Sequence, residues 1–568
     1  MATKSPHLSP QCGTLSLISW NIADKPDKLL ARQLKGLQAR RMIHKIKTKA
    51  GTVSTCPKEI NENFRKFYED LYTSKTSADT AQISDFLQAL HLPKISSSAQ
   101  KELNANITLE EVKEAIQSFP NGKTPGPDGF SIEFYKAYSD KVAPIMLRMF
   151  NHSIVTRHLP ESLYSANISL ILKKDKDETD PVFTKILANR LNKHIANIIH
   201  HDQTGFIPGR FSFINVRRLM NIMYSRYDKD SKIAILALDA QKAFDQIEWR
   251  YVLTVIKEFG LGDGFASWVE MLYAAPTASV ITNYNRSPIF PLQRSCRQGC
   301  PLSPLLFAIA MEPLAISIRN HLSITPLILG RVDHRISLYA DDVVLFLSHP
   351  ENSLPPLLEL IKTFGGFSGY TINWEKSELM PLVGDMDPDF LNNLPFHITE
   401  DKIKYLGVVI PKNPTLLYKL NYLNLLEKLK SNIETWRLLP LSMIGRVNAI
   451  KMVALPRFLY LFQNLPIFLP KAFFKQLDSI ILPFVWGFKA HRISKKHITK
   501  PKSAGGLSLP VLRHYYWAAN ARALMYWQDA YPGNITASTP PWLAIEQDIS
   551  KSSLPALLFS QTSLNHIR

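Results

Sequence analysis

Apolar and polar positions along the chain fall into two patterns. Two short runs are apolar nearly throughout, as buried β-strands are: IAILAL at 233–238, which leads into Asp239, and ISLYADDVVLFL at 336–347, interrupted by Asp341 and Asp342. Elsewhere the period is helical. PKEINENFRKFYEDLYTS spaces Ile60, Phe64, Phe67, Tyr68 and Tyr72 as an amphipathic helix does, and its aromatics are read as core. TLEE, from Thr108, has the form of a capping box, and the helix it opens stops at Pro120. LLFAIAMEPLAISI predicts an apolar helix, and after Ile410 the segments LLEKLKSNIETW, IGRVNAIKMVALPRFLYLF and FFKQLDSIILPFVW predict helices in succession. The loop NGKTPGPDGF is either a sharp connection or a backbone surface that approaches a ligand closely. No internal repeat is visible, which excludes a solenoid.

The acids inside the second apolar run carry the chemistry. A carboxylate in an apolar strand is costly unless it is paired or binds a metal. At strand period Asp341 and Asp342 would point to opposite faces, unless a tight hairpin turns between them. YADD between two apolar runs suits such a hairpin, with the aspartates at its tip. Asp239 ends another short strand, and if the strands are neighbours the three carboxylates converge. Converging acids imply cations, and hard oxygen ligands favour magnesium over zinc. Two such ions roughly 3.5–4 Å apart can activate an attacking hydroxyl and stabilise a leaving oxygen in phosphoryl transfer. The plainer alternative is a surface turn that happens to hold two aspartates.

Composition adds a partner class. The chain has 568 residues, long enough for two to four domains, and Lys plus Arg exceed Asp plus Glu by 67 to 48, giving +19. That balance suits an anionic partner such as nucleic acid, or serves solubility. Nine basic residues fall between Lys25 and Gly51 against one acid, Asp27, as a solvated helix face or a phosphate contact. Cys12, Cys56, Cys296 and Cys300 are too scattered for a disulfide framework and lack zinc-site spacing, so a reducing compartment and no structural zinc are expected. No apolar stretch is long enough for a membrane span, and the N-terminus lacks the form of a secretory signal.

LALDAQKAFDQIEW, SCRQGCPLSPLLFAIAMEPLA, SLYADDVVLF, GYTINWEKSELM and IKYLGVVI, in that order, closely resemble the successive motifs of reverse transcriptases from LINE-type non-LTR retrotransposons. The resemblance runs from about Lys25 to Trp527 and includes NGKTPGPDGF and QTGFIPGR. It implies an α+β right-hand polymerase with fingers, a palm built on a small antiparallel sheet, a helical thumb and an N-terminal helical extension. The activity it implies is RNA-directed DNA synthesis from dNTPs onto a primer 3′-hydroxyl, with two Mg2+ ions for which Mn2+ could substitute. The implied partners are an RNA template and a DNA primer, with no membrane, and the implied location is the nucleus and cytoplasm. Asp239 and Asp341 would ligate the metals, with Asp342 supporting them. Phe244 would be the ring that excludes a ribose 2′-hydroxyl. Gln298 and Gly299 would lie against the template base and nascent pair, Arg297 would add a phosphate contact, and Tyr339 would line the nucleotide site. Lys376 resembles a lysine that assists pyrophosphate departure. Tyr405, Leu406 and Gly407 would form a primer-gripping hairpin, and the basic run KAHRISKKHITKPK suits template–primer phosphates.

The implied divisions are a leader at 1–24, a basic helical extension at 25–107, fingers and palm at 108–385, hairpin, thumb and distal helices at 386–530, and a tail at 531–568. Two departures stand out. Related elements carry a further stretch with Arg-Pro-Ile-Ser after the segment resembling SLILKKDKD, whereas here the chain passes from Asp180 through Pro181 and Val182 into Phe183. A finger element with a basic residue for the incoming triphosphate is thus expected to be missing, which implies a copy that binds nucleic acid but polymerises poorly. At the N-terminus TLSLISWNI resembles the first strand of an endonuclease whose body does not follow, leaving Asn21 no site to serve, so no DNA nicking is expected. Together with a C-terminus that ends before any Cys-rich segment, this reads as a truncated or internally deleted copy.

Overall fold

The computed structural model describes residues 42–48, 51–122, 125, 129–169, 181–283, 285–297, 299–529 and 539–550. The TLSLISWNI strand, most of the basic Lys25–Gly51 segment, the SLILKKDKD segment after Ser169, Gln298 and the tail from 531 to 538 and beyond 550 lie outside the described residues.

The elements that position the site are, in chain order, α1 (Pro57–Tyr72), β1 (Ser165–Ser169), α2 (Pro181–Asn192), α3 (Ser212–Met223), β2 (Ile233–Leu238), α4 (Trp249–Glu258), β3 (Thr277–Thr282), α5 (Ser303–Asn320), β4 (Ile336–Tyr339), β5 (Asp342–Ser348), α6 (Pro350–Ser368), β6 (Glu378–Val383), β7 (His397–Ile398), β8 (Lys402–Tyr405), β9 (Val408–Pro411), α7 (Leu455–Asn464) and α8 (Pro541–Ser550). Both apolar runs of the sequence are strands. They lie side by side in a five-stranded sheet of order β4-β5-β2-β6-β7, antiparallel except for the last pair.

Side chains alternate across this sheet and divide the interior. Ala234, Leu236, Leu238, Val343, Leu345 and Leu347 join a core with α4, α5 and α6. Ile233, Ile235, Val344, Phe346 and Met380 join a second core with α3 and the helices after residue 417. Because both faces are covered, the strands read as unbroken apolar runs instead of alternating ones. The region beyond residue 400 thus shares a core with the sheet, through Ile403 and Ile410 of the β8–β9 hairpin. A second, smaller sheet sets β1 parallel to β3, with α1 packed on it through Phe64, Tyr68 and Tyr72. Phe67 departs from the core reading of that helix: it is 43% exposed and takes the Lys242 ammonium over its ring at 3.9 Å.

The capping box at Thr108 forms, with its hydroxyl accepting from the Glu111 amide at 3.2 Å and the Glu111 carboxylate accepting from the Thr108 amide at 3.0 Å. Cys56, Cys296 and Cys300 are free thiols. No helix among the described residues is long and apolar enough to cross a membrane.

Candidate active site

Register brings the acids together. Val343 of β5 pairs with Leu238 of β2, so the next residues along, Asp342 and Asp239, stand at the same end of adjacent strands. Tyr339 pairs with Asp342, and the two residues between them, Ala340 and Asp341, form the turn of a tight hairpin. Ala340 takes φ +56°. That left-handed conformation costs a residue with a Cβ roughly 1 kcal/mol or more, so the surroundings must hold it.

Electrostatics mark the spot as short of positive charge. Burial, and then repulsion from Asp239, push the Asp341 carboxyl above its ordinary value. Burial, followed by the Asp341 and Asp239 charges, pushes Asp342 up to about 6. No basic side chain among the described residues offsets either rise. Hard oxygen donors with uncompensated charge fit divalent cations such as Mg2+. Asp239 itself is braced through its backbone: its amide donates to Ser377 Oγ at 3.1 Å and its carbonyl accepts from the Asn373 amide at 2.7 Å. The segment resembling GYTINWEK therefore runs alongside the first acid, and Lys376, exposed, closes its short turn Trp374–Lys376.

Phe244 follows a left-handed Lys242 (φ +50°) in a single helical turn, Ala243–Gln246. Its ring stacks on Phe307 at 4.3 Å and meets the half-exposed ring of Phe206 edge-on at 6.1 Å. It is thereby fixed while one side stays open to solvent. Gly299 sits at φ +93°, a conformation that favours glycine, and Gln298 lies outside the described residues. Arg297 departs from the phosphate-contact reading. Its guanidinium is turned inward, donating to the Tyr164 carbonyl at 3.1 Å and lining a small pocket with Phe183, Tyr273 and Cys300. Phe183 and Tyr164 come from distant segments, so the loop's own sequence could not indicate that direction.

The β8–β9 hairpin turns at Leu406 and Gly407, both left-handed (φ +46° and +74°) as a two-residue turn of this kind requires. Leu406 offers its carbonyl to the Tyr460 hydroxyl. Tyr405 also departs from its primer-contact reading: its ring is buried and its hydroxyl accepts from Asn215 Nδ2 at 3.2 Å. The hairpin's tip is Leu406 and Gly407, and along β8 it is Lys402 and Lys404 that are exposed. Tyr339 is half-buried next to Asp342, and after burial its nearness helps to raise the Tyr460 phenol.

A separate cluster, His200, His201 and Asp202, places three ligand-type atoms within 4.8 Å of one another. It does not suit a cation. One Asp202 oxygen accepts from Arg218 at 2.7 Å, and the other from His200 at 2.8 Å and Arg319 at 3.2 Å. A metal would meet two guanidinium groups there, so the cluster is a buried ionic lock. It was not legible in the sequence, and neither was the packing of QTGFIPGR against the acidic hairpin, although that motif stood out.

Three carboxylates thus gather at one end of the five-stranded sheet, a set of hard-oxygen donors of the kind divalent cations take. Residues 179–410 match the family described as reverse transcriptase (RNA-dependent DNA polymerase). The chain is 29% identical over 495 residues to the 149 kDa protein of transposon TX1 from Xenopus laevis, a match covering 84% of this chain and 37% of that one. It is 24% identical over 459 residues to the Pol polyprotein of the type-2 retrotransposable element R2DM from Drosophila melanogaster, covering 75% and 42%. It is 22% identical over 447 residues to the RNA-directed DNA polymerase of mobile element jockey from Drosophila funebris, covering 74% and 47%. Over these stretches the chain is similar to reverse transcriptases and Pol polyproteins of retrotransposable elements. It spans less than half the length of each of these three relatives.

Proposed function

We propose that this chain catalyses RNA-templated DNA synthesis, adding dNTPs to a primer 3′-hydroxyl. The observation that carries the reading is the register that sets Asp239 beside the Asp341–Asp342 turn. In a right-hand description the five-stranded sheet is the palm, the β1–β3 sheet and its helices belong to the fingers, and the helices after 400 form the thumb. Asp239 and Asp341 would hold two Mg2+ ions, with Asp342 beside them. Bound there, the ions would supply Lewis-acid activation of the primer hydroxyl and the departing phosphate. Phe244 closes the sugar side of the site, Gly299 leaves room for the template base, Leu406 and Gly407 approach the primer, and Lys376 faces the departing pyrophosphate. Primer extension on poly(rA)/oligo(dT) with dTTP and Mg2+ tests this directly.

The second reading, a nucleic-acid-binding remnant with impaired catalysis, rests on the fingers. Strand β1 is an edge of its sheet, with β3 as its strand partner among the described residues, and the expected Arg-Pro-Ile-Ser stretch is not in the sequence. Bound primer–template without extension would select it.

The acids give a prediction of their own. Three carboxylates that repel one another destabilise the metal-free protein, and ligands that bind the folded state stabilise it. Mg2+ should therefore raise the melting temperature at pH 8. The effect should fade as pH falls through about 6, where Asp342 takes up a proton and competes with the metal. The sign for the metal-free protein is the reverse: a carboxyl whose folded pKa is raised favours the folded state as pH falls from above 6 towards its ordinary range. Asp342→Asn should raise the metal-free melting temperature and shrink the Mg2+ increment. Thermal scans at pH 5.5 and 8 with and without Mg2+ check both statements, and an equal increment at the two pH values would contradict them.

A further inference from the structure

The acidic turn is held from behind by a segment far away in sequence. Asp202, Gln203 and Thr204 lie parallel to β4: the Leu338 amide donates to the Asp202 carbonyl at 2.9 Å, and the Thr204 amide to the Leu338 carbonyl at 2.9 Å. Gln203 is 1% exposed. Its Oε1 accepts from the Gly205 amide at 2.9 Å and from the Ala340 amide at 3.1 Å. Two N–H groups aimed at one atom fix the orientation of the amide, since only its oxygen can accept them. Its Nε2, equally buried, has no hydrogen-bond partner among the described residues. A side chain that leaves its own donor unpaired in the interior is held there for its oxygen.

Gly205 completes the seat. A Cβ at that position would stand 2.8 Å from the Tyr339 carbonyl carbon and nearer still to the Ala340 nitrogen. Only a bare backbone lets the segment approach the turn this closely. Asn215 of α3 adds a hydrogen bond to the Leu338 carbonyl at 2.8 Å, and the ion pairs of Asp202 with Arg218 and Arg319 anchor the far end of the segment.

We propose that Gln203 is a positioning residue for the site: through Ala340 it holds the left-handed turn that aims Asp341 and Asp342 at Asp239. This rests on the polymerase reading only for its catalytic consequence. The strand neighbours fix the two ends of the turn at Tyr339 and Asp342, but the Ala340 conformation between them is unfavourable for a residue with a Cβ. By accepting from the Ala340 amide, the Gln203 oxygen fixes the Tyr339–Ala340 peptide unit from which that conformation departs.

The test uses Gln203→Met, which keeps the volume and removes the acceptor, alone and combined with Ala340→Gly, which takes a positive φ without strain. Hydrogen exchange is read at the Ala340–Asp342 amides of the full chain, alongside primer–template affinity, melting temperature and the Mg2+ dependence of primer extension. Gln203→Met should speed exchange at those amides by about tenfold or more. It should raise the Mg2+ concentration for half-maximal extension several-fold and leave primer–template affinity unchanged. Ala340→Gly in the same chain should restore the Mg2+ dependence, since glycine needs no clamp to hold the turn. Unchanged local exchange with an unchanged Mg2+ profile would overturn the proposal. So would faster exchange spread over β2 and β5 with a fallen melting temperature, which would make Gln203 an ordinary core residue. If the unaltered chain extends no primer, the polymerase reading fails while the exchange experiment still decides the clamp.

Discussion

Asp341→Ala is expected to abolish primer extension, a loss of roughly 10³-fold or more, while primer–template binding stays within about twofold of the unaltered chain. Asp341 occupies the tip of the β4–β5 turn, half-buried, and forms no ion pair among the described residues. Its removal takes one of three mutually repelling carboxylates out of the site, so the fold should lose nothing and the metal-free melting temperature should rise slightly. That combination separates the expected result from simple unfolding, in which activity and stability fall together. Steady-state extension with dTTP, anisotropy with a labelled primer–template and a thermal scan make the three measurements. Extension surviving in Asp341→Ala would remove these acids from the chemistry. Binding without extension by the unaltered chain would select the remnant reading, and the expected missing finger element would then be the first place to look.

The parts legible in the sequence were those where a local pattern conflicts with itself. Acids in an apolar run are such a conflict; their convergence was conditional on the two strands being neighbours, and the sheet register that makes them so brings Asp239, Asp341 and Asp342 together. The capping box at Thr108 was equally plain, because both of its partners lie within one helical turn. Arg297 was illegible for the opposite reason: its direction is set by Tyr164 and Phe183, over a hundred positions away. Gln203 was hidden in the same manner, since its task exists only once β4 has been laid beside it. The burial of Tyr405 is carried by a local pattern. KIKY alternates polar and apolar residues, which puts Tyr405 on the buried face with Ile403, and that period-two signal outweighs the motif's association with a primer. Phe67 shows the converse, an aromatic at core spacing that stays at the surface, with the Lys242 ammonium over its ring.

Phe244→Val should admit ribonucleotides. The ring stands five residues after Asp239, stacked on Phe307 and buttressed edge-on by Phe206, so it cannot swing aside to make room for a 2′-hydroxyl. Exclusion by a rigid wall differs from selection by an apolar pocket, which rejects an added hydroxyl only about 10²-fold. Valine keeps an apolar surface and the backbone carbonyl that accepts from the Cys296 amide at 2.7 Å, but it withdraws the outer part of the ring. The ratio of kcat/KM for dTTP over UTP on poly(rA)/oligo(dT) should fall by roughly 100-fold, equivalent to about 2.7 kcal/mol. Because it is a ratio within one preparation, partial loss of folded protein cancels. Phe206→Ala, which removes the edge-on support and leaves the gate ring in place, should lower the same ratio by a smaller factor, since the stack on Phe307 still holds one face. An unchanged ratio in Phe244→Val would mean that the ring packs the site's floor and that the sugar is read elsewhere.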